Sequence, residues 1–222
     1  MLVIDDNSPD GTGDWCKERA MNDNRFSAIH RSGKLGLGSA TIAGFEYGLE
    51  HDYALIATMD ADFSHDPASL PDLIAVLDRE DESDVNQTSD SSQENGVITG
   101  VVIGSRYVEG GGIEGWPWTR HVASKSVNFL ARKMLGLRTR DNSGAFRVYR
   151  RSTLHAIDIS QIKSEGYAYL EEILWRINRK RISAMEVPIT FRDRTEGQSK
   201  TSLKIGIGVF WHIVKMATGR VK

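Results

Sequence analysis

Short apolar runs alternate with helical periodicities along the first half of the chain. "LVI" at 2–4, "FSAIH" at 26–30, "YALIATM" at 53–59 and "GVVIGS" at 100–105 are too short for helices and rich in β-branched side chains, so they are expected as strands. Between them lie a stretch from Asp14 to Asp23 and a helix over 37–51 with Ala40, Phe45 and Leu49 facing inward. A third helix carries Leu70, Leu73, Ile74 and Leu77, and Asp66-Pro67 supplies its start signal. This alternation predicts an α/β fold, a doubly wound, mostly parallel sheet flanked by helices. After residue 105 it gives way to helices at 118–135 and 168–180 around strands "AFRVY" and "AMEVPITF". Residues 80–98 open with "EDESDVNQTSDSSQENG", which has one aliphatic side chain and a surplus of acids. Such a segment buries too little surface to offset its ordering entropy and is expected to be a disordered insertion.

Composition narrows the picture. A chain of 222 residues, 40% hydrophobic and 26% charged, holds one sizeable core, so a single domain over 1–222 is expected. With 28 basic and 30 acidic side chains, nothing global argues for a nucleic-acid partner. The one cysteine, Cys16, excludes an intramolecular disulfide framework and thiolate-clustered zinc. No basic-then-apolar leader opens the chain, and no run reaches the ~20 apolar residues that span a bilayer.

Ligands of open parallel sheets bind at the carboxyl ends of the strands, and three polar clusters fall there: "DDNSPDGT", "DADFSHD" and "GSRY". Asp60 and Asp62 repel each other unless a cation lies between them, and such hard oxygens suit magnesium or manganese bridging a diphosphate. Taken alone, the tripeptide reads rather as an acidic turn with Asp66 capping the next helix. "DDNSPDGT" alone is a tight turn.

The ordered set "VIDDNSPDGTGD", "KLGLGSA", "MDADFSHDP", "GSRYVEGGGIEGWP", "DNSGAFRVYRR", "GYAYLEEILWR" and "EVPITFRDRTEGQSK" resembles the family 2 glycosyltransferases of GT-A fold, in the dolichol-phosphate or polyprenol-phosphate mannosyltransferase branch. The resemblance runs nearly end to end. It implies inverting transfer of mannose from GDP-mannose to a dolichyl or polyprenyl phosphate, with Mg2+ or Mn2+ as cofactor. Ile4, Asp5, Asp6, Lys34, Asp60, Ala61 and Asp62 then belong to the donor site, with Arg194 and Lys200 on a loop that closes over the diphosphate. Asp60 and Asp62 hold the metal. Ser64 is a candidate third ligand, where many relatives place a glutamine; a hydroxyl is the poorer ligand, and water completes the shell. The resemblance also implies that Arg106, Arg120 and Ser124 bind the acceptor phosphate, a role that suits forked guanidiniums. Asp60, Asp62 and Arg106 form the catalytic set, whereas Glu171 and Glu172 lie where enzymes with hydroxyl acceptors keep their base.

The resemblance divides the chain into a nucleotide-sugar half (1–105), an acceptor half (106–202) and a C-terminal helix (203–222). "LKIGIGVFWHIVKMA", at 203–217, is apolar nearly all round, which suits either the membrane interface or core packing. The implied location is cytoplasmic, peripheral on the cytoplasmic face of a membrane, with room for a membrane-anchoring partner protein. Relatives begin with a strand and helix bearing a "PTYNE"-like sequence, and Met1 stands where their second strand begins, so the family's first strand is expected to be lacking. Two rival readings follow: a UDP-glucose-dependent polyprenyl-phosphate glucosyltransferase, and a non-catalytic membrane-associated subunit.

Overall fold

All seven residues of β4 (Thr99–Ser105) are buried, and the main sheet is built around this strand. The computed structural model describes residues 1–85, 99–162, 164, 166–193 and 203–218, apart from the side chains of 80–85 and 203–207. β6 (Arg147–Arg150) lies antiparallel between β4 and β3 (Leu55–Thr58), and β7 (Ser183–Pro188) runs parallel along the other side of β4. Two parallel pairs stand apart: β1 (Leu2–Asp5) with β2 (Ser27–His30), and β5 (Gly112–Glu114) with β8 (Thr190–Arg192). The sheets are therefore mixed, with parallel pairing in three of the five ladders among the described residues. The stretch "AMEVPITF" divides between β7 and β8, with Ile189 at the break.

The helices are α1 (Thr12–Asn22), α2 (Leu37–Glu50), α3 (Leu70–Val85), α4 (Trp118–Leu135), α5 (Arg151–Ile157), α6 (Tyr169–Arg179) and α7 (Leu203–Ala217). A 3-10 turn at Pro67–Ser69 precedes α3, and the Asp66 carboxylate accepts the Ala68 amide at 2.9 Å. Asp66 thus caps the start that Pro67 sets. α3 continues to Val85, so the first part of the acidic stretch is helical; residues 86–98 lie outside the described residues.

Side chains alternate across β4, so Val101 and Ile103 serve one face and Val102 the other. On the first face they join Phe45, Tyr149, Leu154, Ile173 and Ile177. On the second, Leu73 and Leu77 of α3 cover Val102, Phe146, Val148 and Ile189. Each such fully buried side chain contributes about 1.5–3 kcal/mol relative to exposure. The β1–β2 pair makes no ladder with β3 among the described residues, and α2 spans both units. Its Gly44 lies close to Ile4, and a Cβ on Gly48 would come 2.8 Å from Ile56. Two missing side chains let one helix lie against both units.

Candidate active site

The carboxyl end of β1 supplies Asp5, a buried aspartate. Both of its oxygens accept the Ser8 amide at 3.3 Å, and His30 Nδ1 at the end of β2 stands 2.9 Å away. Hydrogen bonding from Ser8, more than the charge of His30, holds this carboxyl below its ordinary range. α1 begins close by, and a Cβ on Gly13 would fall 1.8 Å from the His30 ring, so the approach requires glycine. Asp6 pairs with Arg31 at 2.5 Å, and Arg31 reaches on to Ser39 of α2 at 2.8 Å. The turn is therefore braced by His30 and Arg31, neither singled out by the sequence. Ile4 is half-buried beside α2, and Lys34 is exposed.

β3 ends at Thr58, and the carboxylate loop follows. Phe63 adopts a left-handed backbone (φ 61°), and its side chain is 91% exposed. That turn folds Ser64 back so that its amide (3.1 Å) and hydroxyl both donate to Asp62 Oδ1. Ser64 is buried, and its hydroxyl orients Asp62 rather than projecting as a ligand of its own. Asp60 and Asp62 are partly exposed, with Ala61 exposed between them. The Asp60 amide donates to His65 Nδ1 at 3.3 Å, which fixes the proton of the neutral ring on Nε2. Burial, aided by the Arg106 charge, pushes His65 down to about 4. The imidazole is therefore neutral at physiological pH and adds no positive charge beside the two carboxylates.

Arg106 follows β4 and is buried. Its Nε and Nη2 grip Asp141 at 2.7 and 2.6 Å, and Nη2 also donates to Ser143 at 3.0 Å. Burial opposes both charges, but their mutual attraction outweighs it, so Arg106 is raised and Asp141 lowered. The fork expected to face a phosphate is thus spent on Asp141, and Nη1 takes no part in these bonds. Asp141 is itself held: its amide and that of Arg140 donate to Glu186 of β7 at 2.9 and 2.7 Å. Trp116, Tyr107 and Phe191 surround the guanidinium at 5.3–5.5 Å.

Phe191 joins the two halves. Its ring packs on His65 at 5.3 Å while lying beside Arg106, and the next amide, of Arg192, donates to the Ser64 carbonyl at 3.1 Å. Arg120, at the start of α4, stacks on Trp116 at 4.0 Å and pairs with Asp193 at 2.8 Å. Ser124, one turn on, accepts from Tyr107 at 2.7 Å. The structure therefore gathers Arg106, Arg120 and Ser124 around Tyr107 and Trp116. Arg194 and Lys200 lie outside the described residues.

Beneath the site, Arg147 is fully buried and donates to the carbonyls of Asn142 (2.7 Å) and Leu170 (2.9 Å). Its Nε and Glu171 Oε2 are buried without a hydrogen-bond partner among the described residues. Burial raises Glu171 to about 7. Glu172 differs: Ser164, His212 and Arg176 surround it, and their hydrogen bonds outweigh burial to bring it down to about 2. Asp141 and Arg147 lay within a motif already noted; for Arg147 the signal was a charge inside the apolar run "AFRVY", whereas Asp141 sits in a polar stretch that gave none.

An aspartate turn, a carboxylate pair and a buried arginine thus stand at the carboxyl ends of β1, β3 and β4 in an α/β fold. The glycosyl transferase family 2 model matches residues 1–158, and the chain belongs to that family. It is 40% identical to polyprenol monophosphomannose synthase of Mycolicibacterium smegmatis over 91% of this chain and 70% of that protein. Against undecaprenyl-phosphate mannosyltransferase of Micrococcus luteus the identity is 42%, over 91% of this chain and 75% of the relative. Among solved structures, glucosyl-3-phosphoglycerate synthase of Mycobacterium tuberculosis, crystallised with Mn2+, uridine-diphosphate-glucose and glycerol 3-phosphate, matches with a TM-score of 0.60. That match covers 98% of this chain and 68% of the other at 15% identity, and it bears on the fold alone. The same enzyme was also crystallised with Mg2+ and uridine-diphosphate.

Proposed function

We propose that this chain transfers mannose from GDP-mannose to a polyprenyl phosphate, with inversion at the sugar carbon. The observation that carries the reading is the shared wall: the carboxylate loop and Arg106 meet at Phe191 and His65, so a cation-held diphosphate and an anionic acceptor fit side by side. The kinship with two polyprenyl-phosphate mannosyltransferases supports both the sugar and the acceptor.

Asp60 and Asp62 fit a divalent cation. They offer hard oxygens, the neutral His65 does not cancel their charge, and Ser64 holds Asp62 in one orientation. Among the described residues no third acidic, histidine or cysteine side chain joins them, so a bound cation would draw its other ligands from the diphosphate and water. When bound, magnesium or manganese offsets the charge gathering on the departing GDP. Asp5 and Asp6, braced by His30 and Arg31, line the nucleoside end. Arg106, Arg120 and Ser124 receive the lipid phosphate, and the loop with Arg194 and Lys200 closes over the diphosphate. A phosphate monoester loses its second proton near pH 6, so at neutral pH its oxygen attacks without a base. This matches a site in which Glu172 is committed to structural partners and Glu171 is buried.

No helix among the described residues is long and apolar enough to cross a membrane. Trp118, Val122 and Phe129 are exposed at helical spacing along α4, which also carries Arg120 and Ser124, and α7 packs on α4 with Phe210 and Trp211 exposed. This aromatic surface suits peripheral docking on the cytoplasmic face of a membrane, with the acceptor phosphate at its edge.

The test is Asp62→Asn. Calorimetry with GDP-mannose is expected to show manganese-dependent binding in the parent and loss of most of it in the variant. Equal affinity in both, with and without manganese, excludes the shared cation site.

A further inference from the structure

The reading above leaves one buried acid without a task. Glu171 is 1% exposed, and its Oε2 meets no hydrogen-bond partner among the described residues. Charges bear on it from each side: Arg147 from β6, Asp141 from the loop before it, and Arg106 from the end of β4. Tyr149 on β6 accepts from Arg147 at 3.4 Å; on α6 itself Tyr169 is buried and Glu172 turns toward Arg176, His212 and Ser164. Arg106, Arg147 and Asp141 together carry one excess positive charge. A neutral Glu171 leaves that excess intact, and an ionised one cancels it.

Resting on the acceptor role proposed for Arg106, we propose that Glu171 is a positioning residue. By its own charge state, acting through Arg147 and Asp141, it sets how much positive charge Arg106 presents to the acceptor phosphate. The unpartnered oxygen is part of the device. A carboxylate satisfied by several donors would stay ionised across the working range, as Glu172 does, whereas one buried with an oxygen lacking a donor keeps its proton up to about 7. Arg147 donates to the carbonyl of Leu170, the residue before Glu171, at 2.9 Å and to that of Asn142, the residue after Asp141, at 2.7 Å, and so links the two. His65 carries no charge in this range and does not confuse the effect.

The experiment compares the parent chain with Glu171→Gln, which keeps the shape of the neutral acid, by measuring affinity for farnesyl phosphate from about pH 6 to 8.5. Taking the ratio of the two proteins at each pH cancels the titration of the ligand itself. The expected ratio is near one at the acid end, with the parent weaker by on the order of tenfold at the alkaline end, the scale of one unit charge acting through protein. A ratio that stays flat with pH, or a variant weaker throughout, overturns the proposal, because a purely structural role would give one of those patterns. Should the variant fold poorly, the parent alone decides with inorganic sulfate, whose charge is constant: affinity must fall by the same factor through about pH 7. Sulfate affinity independent of pH, or no anion binding by the parent at all, overturns it too. Failure to turn over GDP-mannose while the pH-dependent ratio persists would count against the donor reading and leave this inference standing.

Discussion

Burial treats the two neighbouring acids of α6 in opposite ways, and stability should register the difference. Glu171 is raised from 4.5 to about 7, so between those values the folded chain holds a proton that the unfolded chain has released. Its contribution is therefore fully present below pH 4.5 and is lost as pH rises to about 7, by up to about 3 kcal/mol. Denaturant midpoints of the parent should fall over this window more steeply than those of Glu171→Gln. Parallel curves would mean that Glu171 titrates alike in both states. None of this could be read from the chain, because "LEEIL" presents two chemically identical carboxyls and only tertiary neighbours separate them. Asp60 and Asp62 stood out as candidates because like charges at a strand end need a partner, and Arg106 through the resemblance alone. What the sequence did not reveal for Arg106 is that Asp141, 35 residues on, takes its fork.

At the scale of elements, α7 serves two environments. Val209, Ile213 and Met216, spaced four and three apart, are buried in the core, while Phe210 and Trp211 are 41% and 58% exposed. His212 adds a polar tie to Ser164 and Glu172. Core packing and an outward aromatic face coexist, as the nearly all-round apolar pattern allowed without ranking them. Replacing Phe210 and Trp211 together by serine should leave the melting temperature within a few degrees, given surface effects of about ±0.5 kcal/mol, yet reduce co-sedimentation with anionic lipid vesicles several-fold. Undiminished sedimentation would return both rings to incidental exposure. Strands β1 to β4 and helices α2 and α3 were legible from their apolar periods, and α3 also from its Asp66-Pro67 start. β5 and α5 were not: three residues of β5 carry no period, and α5 opens on Arg150 without a capping side chain.

For the whole molecule, the alternation in the first half correctly implied an α/β fold, but the antiparallel entry of β6 between β3 and β4 has no local signature. It matters, because β6 holds β3, which leads into the carboxylate loop, in one sheet with β4, which leads into Arg106. That union makes a single transfer site the economical account, and the donor is the point on which the rival readings part. The purified chain should be given radiolabelled GDP-mannose or UDP-glucose with manganese and a short polyprenyl phosphate, and the lipid product counted after solvent extraction. The account predicts label in the lipid from GDP-mannose, dependent on the metal and abolished by Asp62→Asn. Label from UDP-glucose alone, or vesicle association with no transfer from either donor, would contradict it.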